Sequence, residues 1–111
     1  MEDCIFCKIA NKEITAQVVF EDDDFIAFLD INPKAKTHIL LIPKKHIVSI
    51  AELEDADQDL MGKMIMRAKE VASKAGLTSF RVVSNSGADS GQEVPHLHFH
   101  ILGGNQLGDI A

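Results

Sequence analysis

The sequence has no excess of basic residues, and this shortage excludes one large class of function. It contains 17 Asp and Glu residues against 11 Lys and Arg residues, which gives a formal net charge of −6. Broad binding to nucleic acid needs a basic surface that displaces counterions. The charge therefore argues against a nucleic-acid partner, although a few backbone amides are enough to hold one small phosphate ligand.

Long hydrophobic runs are also missing, and no secretory leader is expected. No apolar run approaches the ~20 residues needed to span a bilayer, and residues 1–4 (MEDC) lack the basic and apolar regions of a secretory signal. We therefore expect a cytoplasmic protein with no membrane partner. Internal repeats, low-complexity tracts and linkers are absent too, so the 111 residues are expected to form a single domain over 1–111.

Cysteine is scarce, and its two copies stand close together. Cys4 and Cys7 are separated by only two residues. In a cytoplasmic protein a stable disulfide is not expected. The spacing suits a metal clip or a redox pair better, and a pair of buried thiols without metal is the third possibility.

The residues that are present predict an α+β domain. Short runs rich in apolar and β-branched residues predict five strands, at residues 16–20, 25–29, 38–42, 80–84 and 96–102. A short helix is predicted over residues 4–13. The run at 38–42 has no alternation, which indicates a strand covered on both faces. The order β-β-β-α-β-β, after the leading helix, indicates a mainly antiparallel five-stranded sheet with one long helix packed on it.

The long helix is predicted between residues 55 and 76. Asp55 and Gln58 resemble a capping box at its start, and Gly76 stands where a glycine commonly follows a helix end. Between these signals, apolar residues recur at helical spacing and predict one stripe that packs on the sheet. The stripe consists of Leu60, Met61, Met64, Ile65, Ala68, Val71 and Ala72.

Three of the five histidines occupy alternate positions of the last predicted strand. His96, His98 and His100 are separated by apolar residues. Because successive strand residues point to opposite faces, the three imidazoles are predicted to share one face. A merely solvated face would be served equally well by Ser, Thr or Lys. Two uses remain open, namely ligation of zinc or iron and catalysis in which an imidazole forms a covalent intermediate.

Covalent catalysis favours the central histidine. The attacking nitrogen must be unprotonated, and the other ring N–H must be held by an acceptor. His98 is the residue with a neighbouring ring on each side, so it is the better supported nucleophile. The preceding loop, residues 85–92 (NSGADSGQ), is rich in glycine and small polar residues. Such a loop can form a nest that binds anionic oxygens and stabilises a developing phosphorane, although a plain flexible turn is the alternative.

Several stretches resemble one known family in the same order along nearly the whole chain. Residues 96–102 (HLHFHIL) are similar to the signature of the histidine triad (HIT) family, and the branch with the greatest resemblance is that of the histidine triad nucleotide-binding proteins. Further matching stretches are residues 4–9, 30–33, 37–46, 91–94 and 103–104. The resemblance implies a HIT-like fold and hydrolysis of purine nucleoside 5′-phosphoramidates of the adenosine 5′-monophosphoramidate type.

The resemblance also implies roles for individual residues. His98 would attack the α-phosphorus and form a nucleotidyl-histidine that water then resolves, with His100 orienting it or binding phosphate and His96 near the leaving group. Contacts to the purine nucleotide are implied for Asp30, Ile31, Asn85, Gly91, Gln92, His98 and His100. A homodimer with joined sheets is implied as well, with the long helices and the strands near Phe80 at its interface.

A structural zinc ion is implied in the same way, and no organic cofactor is expected. Some family members with an early Cys-x-x-Cys bind zinc through two cysteines and two histidines. The matching residues here are Cys4, Cys7, His46 and His96. As a zinc ligand, His96 would be held in place and would not titrate freely. The remaining histidine, His38, is interpreted as structural or pocket-lining.

One departure from the family pattern bears on the activity. The nucleotide-binding branch often carries a serine two residues after the loop glycine, where it helps to protonate the leaving amine, but this chain has Glu93 there. Glu93 or a water molecule would have to supply that proton. The alternatives are hydrolysis of dinucleoside polyphosphates or nucleotidyl transfer, a nucleotide-binding regulatory module with little turnover, and a metal-binding protein whose histidines are all ligands.

Overall fold

The computed structural model describes residues 3–110. Its helices are α1 (Ile5–Ala10) and α2 (Gln58–Lys74), and its strands are β1 (Val18–Glu21), β2 (Phe25–Leu29), β3 (Thr37–Pro43), β4 (Phe80–Val83) and β5 (Phe99–Gly103). The strands form one antiparallel sheet in the order β1-β2-β3-β5-β4. The predicted α+β class is confirmed. Within residues 3–110, neither helix combines the length and the hydrophobicity needed to cross a bilayer.

The central strand β3 is covered on both faces, as its unbroken apolar run predicts. Ile39 and Leu41 belong to the core between the sheet and α2. Leu40 and Ile42 belong to a second core between the sheet and α1. Because strand side chains alternate between the two faces, β3 divides the molecule into an α2 side, where the core is aliphatic and aromatic, and an α1 side, where the core includes both cysteines.

Helix α2 begins at Gln58, later than the predicted residue 55, and its capping box lies one residue earlier than predicted. The predicted capping box of Asp55 and Gln58 is wrong, because the box is formed by Glu54 and Asp57 at a short 3-10 turn before the helix. The backbone N–H of Glu54 donates to a carboxylate oxygen of Asp57 at 2.9 Å. The other carboxylate oxygen accepts from Nζ of Lys45 at 2.7 Å. This contact with the segment after β3 fixes the turn one residue earlier than local sequence suggests.

The end of α2 and most of its apolar stripe follow the prediction. Gly76 has φ 78°, its N–H donates to Ser73, and the N–H of Leu77 donates to Ala72 at 2.9 Å, which is the Schellman pattern. Ile65 is the exception in the stripe, because it is 56% exposed. It lies about 100° around the helix from Met64 and therefore points to the side of the helix instead of the sheet.

Other boundaries shift where local bonds override the sequence pattern. Helix α1 stops at Ala10, short of residue 13, because Lys12 takes a left-handed φ of 66°. Strand β1 begins and ends slightly later than residues 16–20. Strand β5 begins at Phe99 and not at His96, because the N–H of Leu97 donates to the carbonyl of Ile47 at 2.6 Å, outside the sheet.

Helix α2 offers a matched test of this core. Met64 is fully buried, whereas Met66 on the same helix is 53% exposed. We expect Met64→Ala to lower the free energy of unfolding by about 2–5 kcal/mol, because it opens a cavity beneath the sheet. Met66→Ala should change it by less than about 0.5 kcal/mol. Urea denaturation of both variants measures the difference, and equal losses would contradict the described packing.

Candidate functional site

Two groups of titratable side chains meet on the α1 side of the sheet. The cysteine cluster consists of Cys4, Cys7, His46 and His96, and the histidine row consists of His98, His100, His38 and Asp30. All three alternating histidines lie on this side, while Leu97, Phe99 and Ile101 enter the core against α2. The predicted sharing of one face is therefore seen, even though the first two histidines precede the regular part of β5.

Distant parts of the chain build the cysteine cluster. Cys4 caps the N-terminus of α1, because its sulfur accepts the N–H of Cys7 at 3.4 Å. This one-turn arrangement directs both thiols to the same place. His46 comes from the segment after β3, and His96 comes from the segment before β5. The structure brings together the four residues that the resemblance suggests as zinc ligands.

Four of the six distances between donor atoms of the cysteine cluster are close to the edges of a zinc tetrahedron. Nδ1 of His96 lies 3.3 Å from Sγ of Cys4 and 3.5 Å from Sγ of Cys7. Nδ1 of His46 lies 3.2 Å from Sγ of Cys7 and 3.2 Å from Nδ1 of His96. Zinc bonds to sulfur and nitrogen imply edges of about 3.3–3.8 Å for such a tetrahedron. The donor set and its spacing therefore fit a zinc ion.

His96 is held at both ring nitrogens. Its Nε2–H donates to the carbonyl of Pro43 at 2.8 Å, which leaves a lone pair on Nδ1 toward the sulfurs. The ring is fully buried, and burial, followed by the neighbouring histidines, lowers its pKa to about 4. Burial and the adjacent Cys4 raise the pKa of the Cys7 thiol. This geometry favours the ligand role of His96 over a position beside a leaving group.

The central histidine is oriented by the backbone. Nδ1 of His98 lies 2.7 Å from the carbonyl oxygen of His96, and because a carbonyl only accepts, Nδ1 must carry the proton. In the neutral ring, the lone pair is then on Nε2. The His98 ring contacts those of Phe6 and His100, with centroids 5.1 Å and 4.9 Å away. His98 therefore has the tautomer that a nucleophile requires.

His38 and His100 form a directed hydrogen-bond chain. The backbone N–H of Lys34 donates to Nδ1 of His38 at 2.9 Å, so the proton of a neutral His38 must be on Nε2. That nitrogen lies 2.9 Å from Nδ1 of His100 and 3.4 Å from a carboxylate oxygen of Asp30. His100 thereby accepts at Nδ1 and, when neutral, presents an Nε2–H donor.

The pKa values of these two rings agree with the neutral forms that the chain requires. Burial, and then the nearby His98 and His38, lowers the pKa of His100 to about 4 despite the opposing effect of Asp30. Burial likewise lowers the pKa of His38, although the negative charge of Asp30 acts to raise it. Near neutral pH both rings are therefore uncharged. A neutral His100 can donate one hydrogen bond without adding positive charge to the site.

The loop before the histidines turns at two glycines, and the backbone N–H groups of both are bonded within the protein, to Gln92 and to Ala88. Gly87 and Gly91 have φ of 94° and 98°, a region that side chains with a Cβ rarely adopt. The Asn85 amide lies beside Gly91. The Gln92 side chain, in contrast, bonds to Gly87, Val48 and Val94 of the protein itself.

The remaining predicted nucleotide contacts lie at the other end of the histidine row. Oδ1 of Asp30 accepts the N–H of Asn32 at 2.8 Å, which closes a turn, and its second oxygen faces His38. Ile31 is 92% exposed, so its side chain is available to a ligand. Glu93, which replaces the family serine, is also exposed.

Two further residues, His38 and Phe6, contact the histidines of this site. His38, which the sequence indicates to be structural or pocket-lining, contacts His100 directly. Its position depends on the pairing of Leu40 with His100, and no local pattern gives that register. Phe6 contacts the rings of both His96 and His98, and only its place between the two cysteines pointed to it.

A cavity of about 500 Å³ lies elsewhere, between residues 76–81 and residues 104–107. It contains none of the histidines or cysteines. The candidate site is marked by the oriented imidazoles and by the loop of residues 85–92, called the glycine loop below, and not by this cavity.

Comparison with known proteins identifies relatives along almost the whole chain. A family model described as the HIT domain matches residues 11–107. The protein HitA of Neisseria gonorrhoeae is 52% identical over 104 residues, which cover 93% of this chain and 97% of that protein. An uncharacterised HIT-like protein of Methanocaldococcus jannaschii is 48% identical over 89% of this chain and 77% of its own length.

Solved structures agree with these matches. A histidine triad protein from Clostridium difficile is 46% identical, with a TM-score of 0.95 over 100% of this chain and 98% of that one. A HIT family hydrolase from Legionella pneumophila is 49% identical, with a TM-score of 0.93 over 96% of each chain. The predicted HIT-like fold is therefore confirmed.

The low pKa of His100 predicts an acid-sensitive fold. The folded pKa of about 4 lies below the ordinary value of 6.5, so the unfolded chain binds more protons between these two values. The free energy of unfolding should therefore fall as pH drops from about 6.5 to 4. His100→Asn keeps an acceptor for His38 but cannot titrate, and its stability should fall on the order of 1–2 kcal/mol less across this window, allowing for partial solvent exposure. Urea titrations at pH 7 and pH 4.5 measure both losses, and identical losses would refute the prediction.

Proposed function

The chain belongs to the HIT family, and on that basis we propose that it is a hydrolase of purine nucleoside 5′-phosphoramidates with His98 as the nucleophile. The observation that carries the proposal is the 2.7 Å bond from Nδ1–H of His98 to the carbonyl of His96. Because this bond uses the Nδ1–H, the lone pair of the neutral ring is on Nε2, where it can attack phosphorus. The Legionella pneumophila relative that is called a HIT family hydrolase agrees with an enzymatic role.

The proposed reaction has two displacement steps at phosphorus. The Nε2 lone pair of His98 attacks the α-phosphorus, an Nε2–P bond forms, and the P–N bond to the leaving amine breaks. Water then attacks the nucleotidyl-histidine, releases the nucleoside monophosphate and returns the ring to its starting form. His100 would donate its Nε2–H to a phosphate oxygen, and its own tautomer is maintained by His38. Donors in the glycine loop would bind the other oxygens.

The leaving amine needs a proton, and we assign that proton to Glu93 or to a water molecule beside it. Glu93 occupies the position where the branch often has serine, and it is exposed. His96 is not assigned this step, because both of its ring nitrogens are already bonded within the protein. In our proposal His96 acts through its carbonyl group on His98 and through Nδ1 in the cysteine cluster.

We assign nucleotide binding to the residues at the two ends of the histidine row. Asp30 would bind the ribose hydroxyls with its carboxylate, and the exposed side chain of Ile31 would contact the purine base. Asn85 and Gly91 would face the phosphate. The outward position of Ile31, at 92% exposure, supports a direct contact with a ligand.

The cysteine cluster is proposed to hold a structural zinc ion. Cys4, Cys7, His46 and His96 would supply two thiolates and two imidazole nitrogens, a normal structural zinc set. The ion would contribute folding energy by joining α1 to the segments that follow β3 and precede β5. It would not meet the substrate, because the four ligands would complete a tetrahedron.

A homodimer and a cytoplasmic location complete the proposal. Strand β4 is an edge of the sheet, and its Phe80 and Val82 side chains are 40% and 39% exposed. Pairing with β4 of a second copy would satisfy this edge and join the two sheets. Two free cysteines suit a reducing compartment.

The covalent intermediate is the direct test of the proposed function. Mixing the protein with an adenosine 5′-phosphoramidate should produce an adenylyl adduct on His98 that intact-protein and peptide mass spectrometry detects. His98→Asn keeps an N–H for the His96 carbonyl but lacks the Nε2 nucleophile. We expect it to lose the adduct and about 10³-fold or more in kcat, while adenosine monophosphate binding remains within a few-fold of the wild type. Full turnover by His98→Asn would overturn the assignment.

Metal content tests the cysteine cluster separately. Elemental analysis of the purified protein should find about one zinc per chain, and Cys7→Ser should reduce it to near zero. His38→Asn lies outside the cluster and should keep its zinc. Chelation should lower the Tm by about 5 °C or more, because the ion binds only the folded chain. Zinc content unaffected by Cys7→Ser would contradict the proposed ligand set.

A further inference from the structure

The side chain of Gln92 is fully engaged by the protein. Its Oε1 accepts the backbone N–H of Gly87 at 2.8 Å. Its Nε2 donates to the carbonyl of Val48 at 2.6 Å and to that of Val94 at 3.1 Å. A primary amide has two N–H donors, and both are used here. Gln92 therefore has no donor left for a phosphate oxygen, contrary to the contact that the resemblance implies.

These three bonds join three parts of the backbone. Gly87 begins the tight part of the glycine loop, and Val94 follows the loop on its way to the histidines. Val48 belongs to the segment that leaves His46. Two neighbouring bonds link the same segments, from the N–H of Leu97 to Ile47 at 2.6 Å and from the N–H of Ala51 to Oγ of Ser86 at 3.1 Å.

The loop needs the side-chain hydrogen bonds of Gln92 because its own glycines allow many backbone conformations. Gly87 and Gly91 both have positive φ, and glycine loses more conformational freedom on ordering than any other residue. The other bonds within the loop are short-range, such as that from the N–H of Gly91 to Ala88 at 3.0 Å. The Gln92 amide ties both ends of this loop to a segment that is itself attached next to the cysteine cluster.

We propose that Gln92 is a positioning residue, which fixes the glycine loop that precedes the histidines and does not contact the substrate. The inference rests on the proposed function, since it concerns how that reaction is supported. A fixed loop would hold its polar side chains, such as the Asn85 amide beside Gly91, where negative charge develops on the phosphoryl oxygens, so it lowers the barrier more than it strengthens nucleotide binding. Nucleotide binding would instead come mainly from contacts to the ribose and the base.

The experiment compares two glutamines. Gln92→Met keeps the length of the side chain but removes all three hydrogen bonds, and Gln17→Met is the control at an exposed position before β1. Gln92→Glu is a second variant, because it can still accept from Gly87 but cannot donate to Val48 or Val94. Each protein is assayed for kcat with adenosine 5′-phosphoramidate, for the Kd of adenosine monophosphate, and for amide hydrogen exchange without ligand.

We expect Gln92→Met and Gln92→Glu to lower kcat by about 10- to 100-fold, the effect of a small misplacement of catalytic donors, with the Kd changed by less than about 3-fold. Hydrogen exchange should accelerate over residues 85–94 and stay unchanged in β3. Gln17→Met should match the wild type in all three measurements.

Two results would overturn the inference. Unchanged hydrogen exchange with a large loss of adenosine monophosphate affinity would make Gln92 a direct ligand contact, and unchanged kcat would remove it from the mechanism altogether. If the wild-type protein shows no turnover, the proposed function fails. The exchange measurement would still decide whether Gln92 clamps the loop, so the two failures are distinguishable.

Discussion

The hydrogen bond from Nδ1–H of His98 to the carbonyl of His96 is the interaction on which the site depends. It links two residues that are neighbours on one face of the chain, and it sets which nitrogen of His98 carries the lone pair. His96 is a rigid partner because its ring is buried and bonded at both nitrogens. Because the cysteine cluster fixes the position of His96, it also fixes the carbonyl group that accepts the hydrogen bond from His98.

The protein tolerates the imidazoles of His38, His96 and His100 in its interior because these rings are neutral and hydrogen-bonded. The pKa values of His96 and His100 are lowered to about 4, chiefly by burial, and an uncharged ring avoids the desolvation penalty of an ion. Within residues 3–110, each buried side-chain nitrogen and oxygen has a hydrogen-bond partner. The α2 side of the sheet carries the larger apolar core. The α1 side can therefore contain polar side chains while that core stays intact.

The sequence predicted what depends on local periodicity and missed what depends on register. Alternation along the last strand correctly placed three imidazoles on one face, and the unbroken apolar run at β3 indicated burial on both sides. The contact of His38 with His100 needed the pairing of β3 with β5, which no local pattern contains. The engagement of Gln92 was hidden for the same reason, because Val48 comes from a distant segment. The exposed Ile65 shows that apolar spacing alone does not determine the edge of a helix stripe.

The contact between Cys4 and His96 joins positions that are 92 residues apart, at 3.3 Å between their side chains. During synthesis α1 is made before every strand of this sheet, whereas His96 follows only after β4. Before His96 is made, His46 is the member of the cluster that the cysteines can reach, 39 residues after Cys7. The closure of such a long loop is entropically costly and comes late in folding, so the four donor atoms of the cluster come together only when the distant parts of the chain have met.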